Sequence, residues 1–168
     1  MGQPTFHAAV SMLFNQLGLD SALLAAEEHD YYTVRVDQVD IELVGRQAGF
    51  ISFLCFPGEL PTPSSEALSV LLAANSYQQA APIITISLLD MTPAKVSIWS
   101  RLSLAQANTA ELAGLFLRFA ELARATHYWI QAGAPGLKDD GTVTERIRHE
   151  SPLSTLRRLL GKARPQVR

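Results

Sequence analysis

The sequence predicts an α+β fold: an antiparallel five-stranded sheet with three main helices in the order α-β-β-β-α-β-β-α, followed by a basic tail or short helix. Three observations carry this. Apolar residues recur at three- and four-residue spacing in Thr5 to Leu17, Ser64 to Gln79 and Asn108 to Gln131. Five shorter runs alternate apolar with polar residues or are rich in β-branched and aromatic side chains. The links between the first three runs, Asp37–Gln38 and Gln47–Gly49, suit antiparallel neighbours.

The first helix places Phe6, Val10, Leu13, Phe14 and Leu17 on one face and Ala8, Ser11 and Asn15 on the other, and Gly18 stops it. This is an amphipathic helix at the edge of a core. His7 has no candidate co-ligand near it in sequence and reads as a surface residue. Asp20 to Asp30 is acidic and reads as a solvated loop. Its Glu27, Glu28, His29 and Asp30 point in different directions and lack a second ligand set, so they do not make a metal site.

Three strands are expected over Tyr31 to Val36, Val39 to Val44 and Phe50 to Phe56. In the second, Val39, Ile41 and Leu43 alternate with Asp40 and Glu42, giving one buried face and one wet face. The third is apolar on both sides, with Phe50, Ser52, Leu54 and Phe56 on one face and Ile51, Phe53 and Cys55 on the other. Both faces need cover, and a chain this short has few helices to supply it.

Pro61 and Pro63 disfavour helix before Ser64, Ser64 or Ser65 can cap the amides that follow, and Glu66 complements the helix dipole. Leu68, Leu71, Leu72 and Asn75 then recur on a broad apolar surface, which predicts packing on two sides. Ile83 to Leu88 and Lys95 to Arg101 follow as strands around an Asp90–Ala94 turn. Val96 and Ile98 share one face. Trp99 falls with Ser97 and Arg101 on the other, a composition common at interfaces. Asn108 or Thr109 opens the long helix, whose stripe runs through Leu112, Leu115, Phe116, Phe119, Leu122 and Ala123.

The Gly- and Pro-rich stretch that begins at Ala132 reads as a linker, giving a domain over residues 1–131, a linker over 132–143 and a tail over 144–168. The tail holds seven basic and two acidic residues, a net +5, so the first 143 residues carry −7 of the overall −2. Ser151 and Pro152 can open a short helix with Leu153, Leu156, Leu159 and Leu160 on one face and Arg157, Arg158 and Lys162 beside it. Those three cations are the candidate tail contacts.

At 168 residues and 48% hydrophobic content, one domain with a real core is expected. No apolar run reaches the ~20 residues needed to cross a bilayer and no leader pattern is visible, so a cytoplasmic protein is expected. Cys55 is the only cysteine and sits inside FISFLCF, where a free thiol behaves as a small hydrophobe. There is no P-loop, GxGxxG, GxSxG, HExxH or CxxC, and the four histidines are scattered. The expectation is a protein that is not an enzyme, with no cofactor, no metal and no small-molecule substrate. Nucleic-acid or membrane binding is confined to the tail, and a small adaptor or regulator acting through that tail is the alternative function.

The N-terminal FHAAVSMLFNQLGL, the GELP of Gly58 to Pro61, EALSVLLAAN at Glu66 to Asn75, the strands ISL and KVSIWSRLSL, and the closing ELAGLFLRFAELA are similar to one family. Over Thr5 to Gln131 the chain resembles the small class I chaperones of bacterial type III secretion, the Tir-chaperone-like family. Family members are typically shorter and acidic, so the segment from Ala132 is extra. The resemblance implies a cytoplasmic, non-enzymatic homodimer that binds the N-terminal region of one or several secreted effectors and keeps it secretion-competent. The tail is then a candidate contact for the secretion ATPase. It further implies dimer contacts through Leu68, Leu71, Leu72, Ile84, Ile86, Ile98 and Trp99, and a client surface at Phe6, Val10, Leu13, Phe14, Ile51 and Phe53.

Overall fold

The structure is a computed structural model that describes residues 5–19, 24, 29–76, 81–90, 93–105, 107–136 and 165–166. Its helices are α1 (Phe6–Leu17), α2 (Ser65–Ser76) and α3 (Thr109–Gln131). Its strands are β1 (Tyr31–Val36), β2 (Val39–Val44), β3 (Phe50–Leu60), β4 (Thr85–Leu88), β5 (Ala94–Ser103) and a two-residue β6 (Pro165–Gln166). The three helices and five main strands occur in the expected order.

Local chemistry sets the helix ends. Thr5 accepts from the Ala8 amide at 3.2 Å, and Gly18 closes α1 with φ +68°, a left-handed conformation that costs glycine little. Ser64 Oγ accepts from the Ala67 amide at 3.1 Å to start α2. At the start of α3, Asn108 accepts from the Glu111 amide at 2.9 Å and Glu111 accepts from the Asn108 amide at 3.3 Å, a reciprocal capping box.

All strand pairs are antiparallel and the order is β4-β5-β3-β2-β1-β6. Sequence reasoning ended the third strand at Phe56, before Pro57. The strand in fact runs on to Leu60, because the register shift between Cys55 and Gly58 takes Phe56 and Pro57 out of the β5 ladder. A bulge is one of the few places where a strand tolerates proline. Gly58, Glu59 and Leu60 of the GELP stretch are therefore the end of a strand, and the freed Pro57 carbonyl lies 2.7 Å from His127 Nδ1 of α3.

The core lies between the sheet and the α1–α3 layer. Phe53 packs its ring against Phe116 and Phe119, with centroids 6.3 and 5.7 Å apart. Ile41, Leu43, Ile51, Cys55 and Ile98 line the same face and are wholly buried. Each such side chain contributes roughly 1.5–3 kcal/mol by leaving water. Burial also pushes the Cys55 thiol up to about 12, with smaller contributions from the charges of Asp40 and Glu42. Gly45 is required for packing, since a Cβ there would sit 2.2 Å from the Phe6 ring. His7 is not the surface residue expected. It lies half-buried with Nδ1 2.7 Å from the hydroxyl of the buried Tyr32, which needs a polar partner once removed from water.

The stretch read as a linker starts packed against the body. Ala134 is buried and Trp129 Nε1 donates to the Pro135 carbonyl at 2.9 Å. Arg157, Arg158, Lys162 and the expected short helix lie outside the described residues.

Candidate functional site

The second face of the sheet is the candidate site. The covered face takes Ile41, Leu43, Phe53, Cys55 and Ile98. The alternation of a pleated strand then sends their neighbours Glu42, Val44, Leu54, Phe56, Trp99 and Arg101 the other way. Among the described residues no helix lies over that side. Leu54 pairs laterally with Trp99 on one side and Glu42 on the other, and Val44 with Tyr31 and Ser52, so a discontinuous apolar band, broken by Glu42 and Ser52, runs over this face. Trp99 is 43% exposed, Tyr31 40% and Phe56 38%.

Charged groups border this band. Lys95 Nζ stands 4.5 Å from the Phe56 ring centroid and the Arg101 guanidinium 5.1 Å from that of Phe50. Arg101 also donates to Gln47, and Arg35 pairs with Asp40 at 2.5 Å on the exposed surface. Tyr31, Glu42, Val44, Arg46 and Leu54 surround a shallow open depression of about 410 Å³. Such a surface offers apolar pockets and peripheral charges to a second chain, and its aromatic and Arg content is that of an interface core.

A second apolar area adjoins it at the β4 side. Leu72 of α2 is 67% exposed, Ile83 63% and Leu89 56%. This helix is tied to the sheet by an unusual link. Asn75 Nδ2 donates to the Ile86 carbonyl at 2.8 Å, and Asn75 Oδ1 accepts from the Ile86 amide, also at 2.8 Å. The amide side chain thus takes the place of a missing strand partner on the β4 edge. Arg118 of α3 fixes the segment before β4 by donating to the carbonyls of Ala81 and Pro82.

The residues singled out from sequence divide sharply. Of the expected client surface, Val10, Leu13, Phe14, Ile51 and Phe53 lie in the core, and Phe6 packs half-buried over Gly45. These side chains hold the fold together in this chain. The reason is the placement of α1 and α3, which cover the Ile51 and Phe53 side of β3 and leave the Leu54 and Phe56 side bare. Of the expected dimer residues, Leu71, Ile84, Ile86 and Ile98 are also buried, Leu68 is half-buried, and Leu72 and Trp99 are exposed. Tyr31, Val44, Ile83 and Leu89 were missed. The signal for the first two was their place opposite the buried set of their own strands.

Among the described residues no group of three His, Cys, Asp or Glu side chains is positioned to hold a metal ion, and no helix is long and apolar enough to cross a membrane. His127 is packed against the Pro57 carbonyl. A packed core behind an uncovered, partly apolar sheet face defines a protein-binding scaffold. The fold itself is shared. A chain of the Pseudomonas aeruginosa ExoT–SpcS complex matches at 15% identity and a TM-score of 0.56, over 74% of this chain and 98% of that one. The Yersinia pestis type III secretion chaperone SycH, in complex with a stable fragment of YscM2, matches at 20% and 0.57, over 72% and 98%. YbjN of E. coli, proposed to be a transcription regulator, matches at 18% and 0.50, over 74% and 90%, so the fold by itself does not decide function. No curated protein sequence matches.

The sequence is more specific. The Tir chaperone protein (CesT) family matches over residues 9–127. The chain belongs to that family and is a type III secretion chaperone.

Proposed function

We propose that this protein is a cytoplasmic homodimer that binds the N-terminal region of secreted effectors, holds it extended, and keeps it competent for secretion. The observation that carries the reading is the uncovered apolar band of Tyr31, Val44, Leu54, Phe56 and Trp99, which a folded monomer gains nothing by exposing. An extended client can lay apolar side chains into the depression beside Tyr31 and Leu54 and pair its backbone with an edge of the sheet. Recognition of that kind demands little sequence identity among clients, which supports binding of more than one effector.

The α2–β4–β5 side supports the dimer. Leu68, Leu72, Ile83, Leu89 and Trp99 supply exposed or half-exposed apolar area there, in place of the buried Leu71, Ile84, Ile86 and Ile98. The basic tail, with Arg157, Arg158 and Lys162, is the proposed contact for the secretion ATPase, and the chain works without catalysis. The test is affinity purification of the tagged chain from bacteria with an active type III secretion system. Mass spectrometry identifies what is bound, and light scattering gives the mass of the complex. The expected result is secreted effectors on a dimer, and their number measures the breadth of the clientele. A monomer that captures nucleic acid, lipid or no effector defeats the proposal.

A further inference from the structure

The two edges of the sheet are closed by different means. The β4 edge is held by Asn75 through both polar groups of Ile86. The β1 edge carries the far end of the chain: Gln166 pairs with Thr33 and Pro165 with Val34, antiparallel. Among the described residues no strand pairs with the rest of that edge, at Tyr31, Tyr32, Arg35 and Val36. We propose that the C-terminal residues are an internal ligand of the β1 edge, occupying in cis the place where an extended partner strand adds, and that such a partner must displace them.

Charge and chain length both fit this occupant. The β1–β2 region from His29 to Val44 holds Asp30, Asp37, Asp40 and Glu42 against Arg35 alone, a net −3. The last eight residues, Gly161 to Arg168, hold Lys162, Arg164 and Arg168 and no acid, a net +3. The segment that carries Pro165 and Gln166 is therefore opposite in charge to the edge with which those two residues pair. Residues 137–164 join the described body to Pro165, and 28 residues reach up to roughly 90 Å when extended. Proline is suited to this position, because it lacks an amide to donate and so blunts the new edge against further strands.

Two paired residues hold weakly, which suits a ligand meant to leave. A tether of this kind presents its end at an effective concentration on the order of 1 mM. If the free segment binds with a dissociation constant of about 0.1 mM, its presence in cis weakens any competitor about tenfold. Displacement by a client rests on the chaperone reading above, whereas occupancy of the edge does not.

The test uses the full chain and a chain lacking residues 165–168. Hydrogen exchange followed by mass spectrometry should show faster exchange in Tyr31 to Val36 on deletion, with β3, β5 and α3 unchanged as controls for folding. A fluorescent peptide of residues 161–168 should bind the deleted chain about tenfold more tightly than the full chain, and 0.5 M salt should weaken that binding by screening the charges. An Arg164→Glu, Arg168→Glu variant of the full chain should behave like the deletion. Equal exchange at β1, or equal peptide affinity for both chains, overturns the proposal. Protection that depends on protein concentration puts the segment on a neighbouring molecule and overturns occupancy in cis. No effector enters these measurements, so their failure leaves the chaperone function standing, and failure of effector capture leaves the edge result standing.

Discussion

Phe53 and Leu54 are adjacent in β3, yet one lies in the core between α3 and the sheet and the other lies on the open band beside Trp99. The same strand therefore serves two purposes, one per face. The covered face is dense with wholly buried aromatic and aliphatic groups, so its energy goes into the fold. The open face keeps its apolar groups exposed or half-buried beside Lys95, Arg101 and Arg46, so the energy of burying them fully is not realised in the fold. In β3, strength of hydrophobic character does not separate the two faces. Cover does.

Substitutions on each face test that division. The largest effect is expected for Phe119→Ala, which removes a wholly buried ring against Phe53 and should cost about 3–5 kcal/mol of stability in chemical denaturation. Trp99→Ala, on the other face, should change stability by under ~0.5 kcal/mol but weaken self-association or effector binding by about 1.5–3 kcal/mol, read by sedimentation and by titration with a captured effector. Unchanged mass and affinity would remove Trp99 from any interface. Asn75→Ala should cost about 1–3 kcal/mol, because Ile86 loses a partner for both its amide and its carbonyl, and exchange at β4 should rise before that at β3. Arg35→Ala breaks an ion pair whose two side chains are 46% and 45% exposed, so a stability change under ~0.5 kcal/mol is expected.

Cys55 adds a pH test of the covered face. Its thiol is raised from 9.0 to about 12 in the folded chain, so only the unfolded state ionises as pH rises past 9. Stability from this group is fully present below pH 9 and falls between pH 9 and 12. A thiol reagent at pH 8 should label Cys55 no faster than global unfolding, whereas a cysteine placed at Leu54 should react at once.

Much of the fold was legible because local patterns and the final contacts agree. Val39, Ile41 and Leu43 alternate with Asp40 and Glu42, and the structure buries the first set. Asn108, one of the two caps the sequence offered for α3, forms a capping box with Glu111. Trp99 was placed opposite Val96 and Ile98 by strand alternation alone, and it is exposed while they are buried. The burial of Ile51 and Phe53 could not be read locally, for a clear reason. Both faces of β3 are apolar in sequence, and the covered one is chosen by where α3 crosses, a contact between residues more than sixty positions apart. The strand's continuation through Pro57 and the hold of Asn75 on Ile86 are equally invisible to a local pattern.

The sequence by itself determined the elements, their order and the family, because periodicity, capping and turn chemistry act over a few residues. Only the tertiary structure decided which apolar face of β3 is core and which stays uncovered, and how each edge of the sheet is closed. Burial depends on neighbours brought together across the chain, and local pattern carries no information about which neighbour arrives.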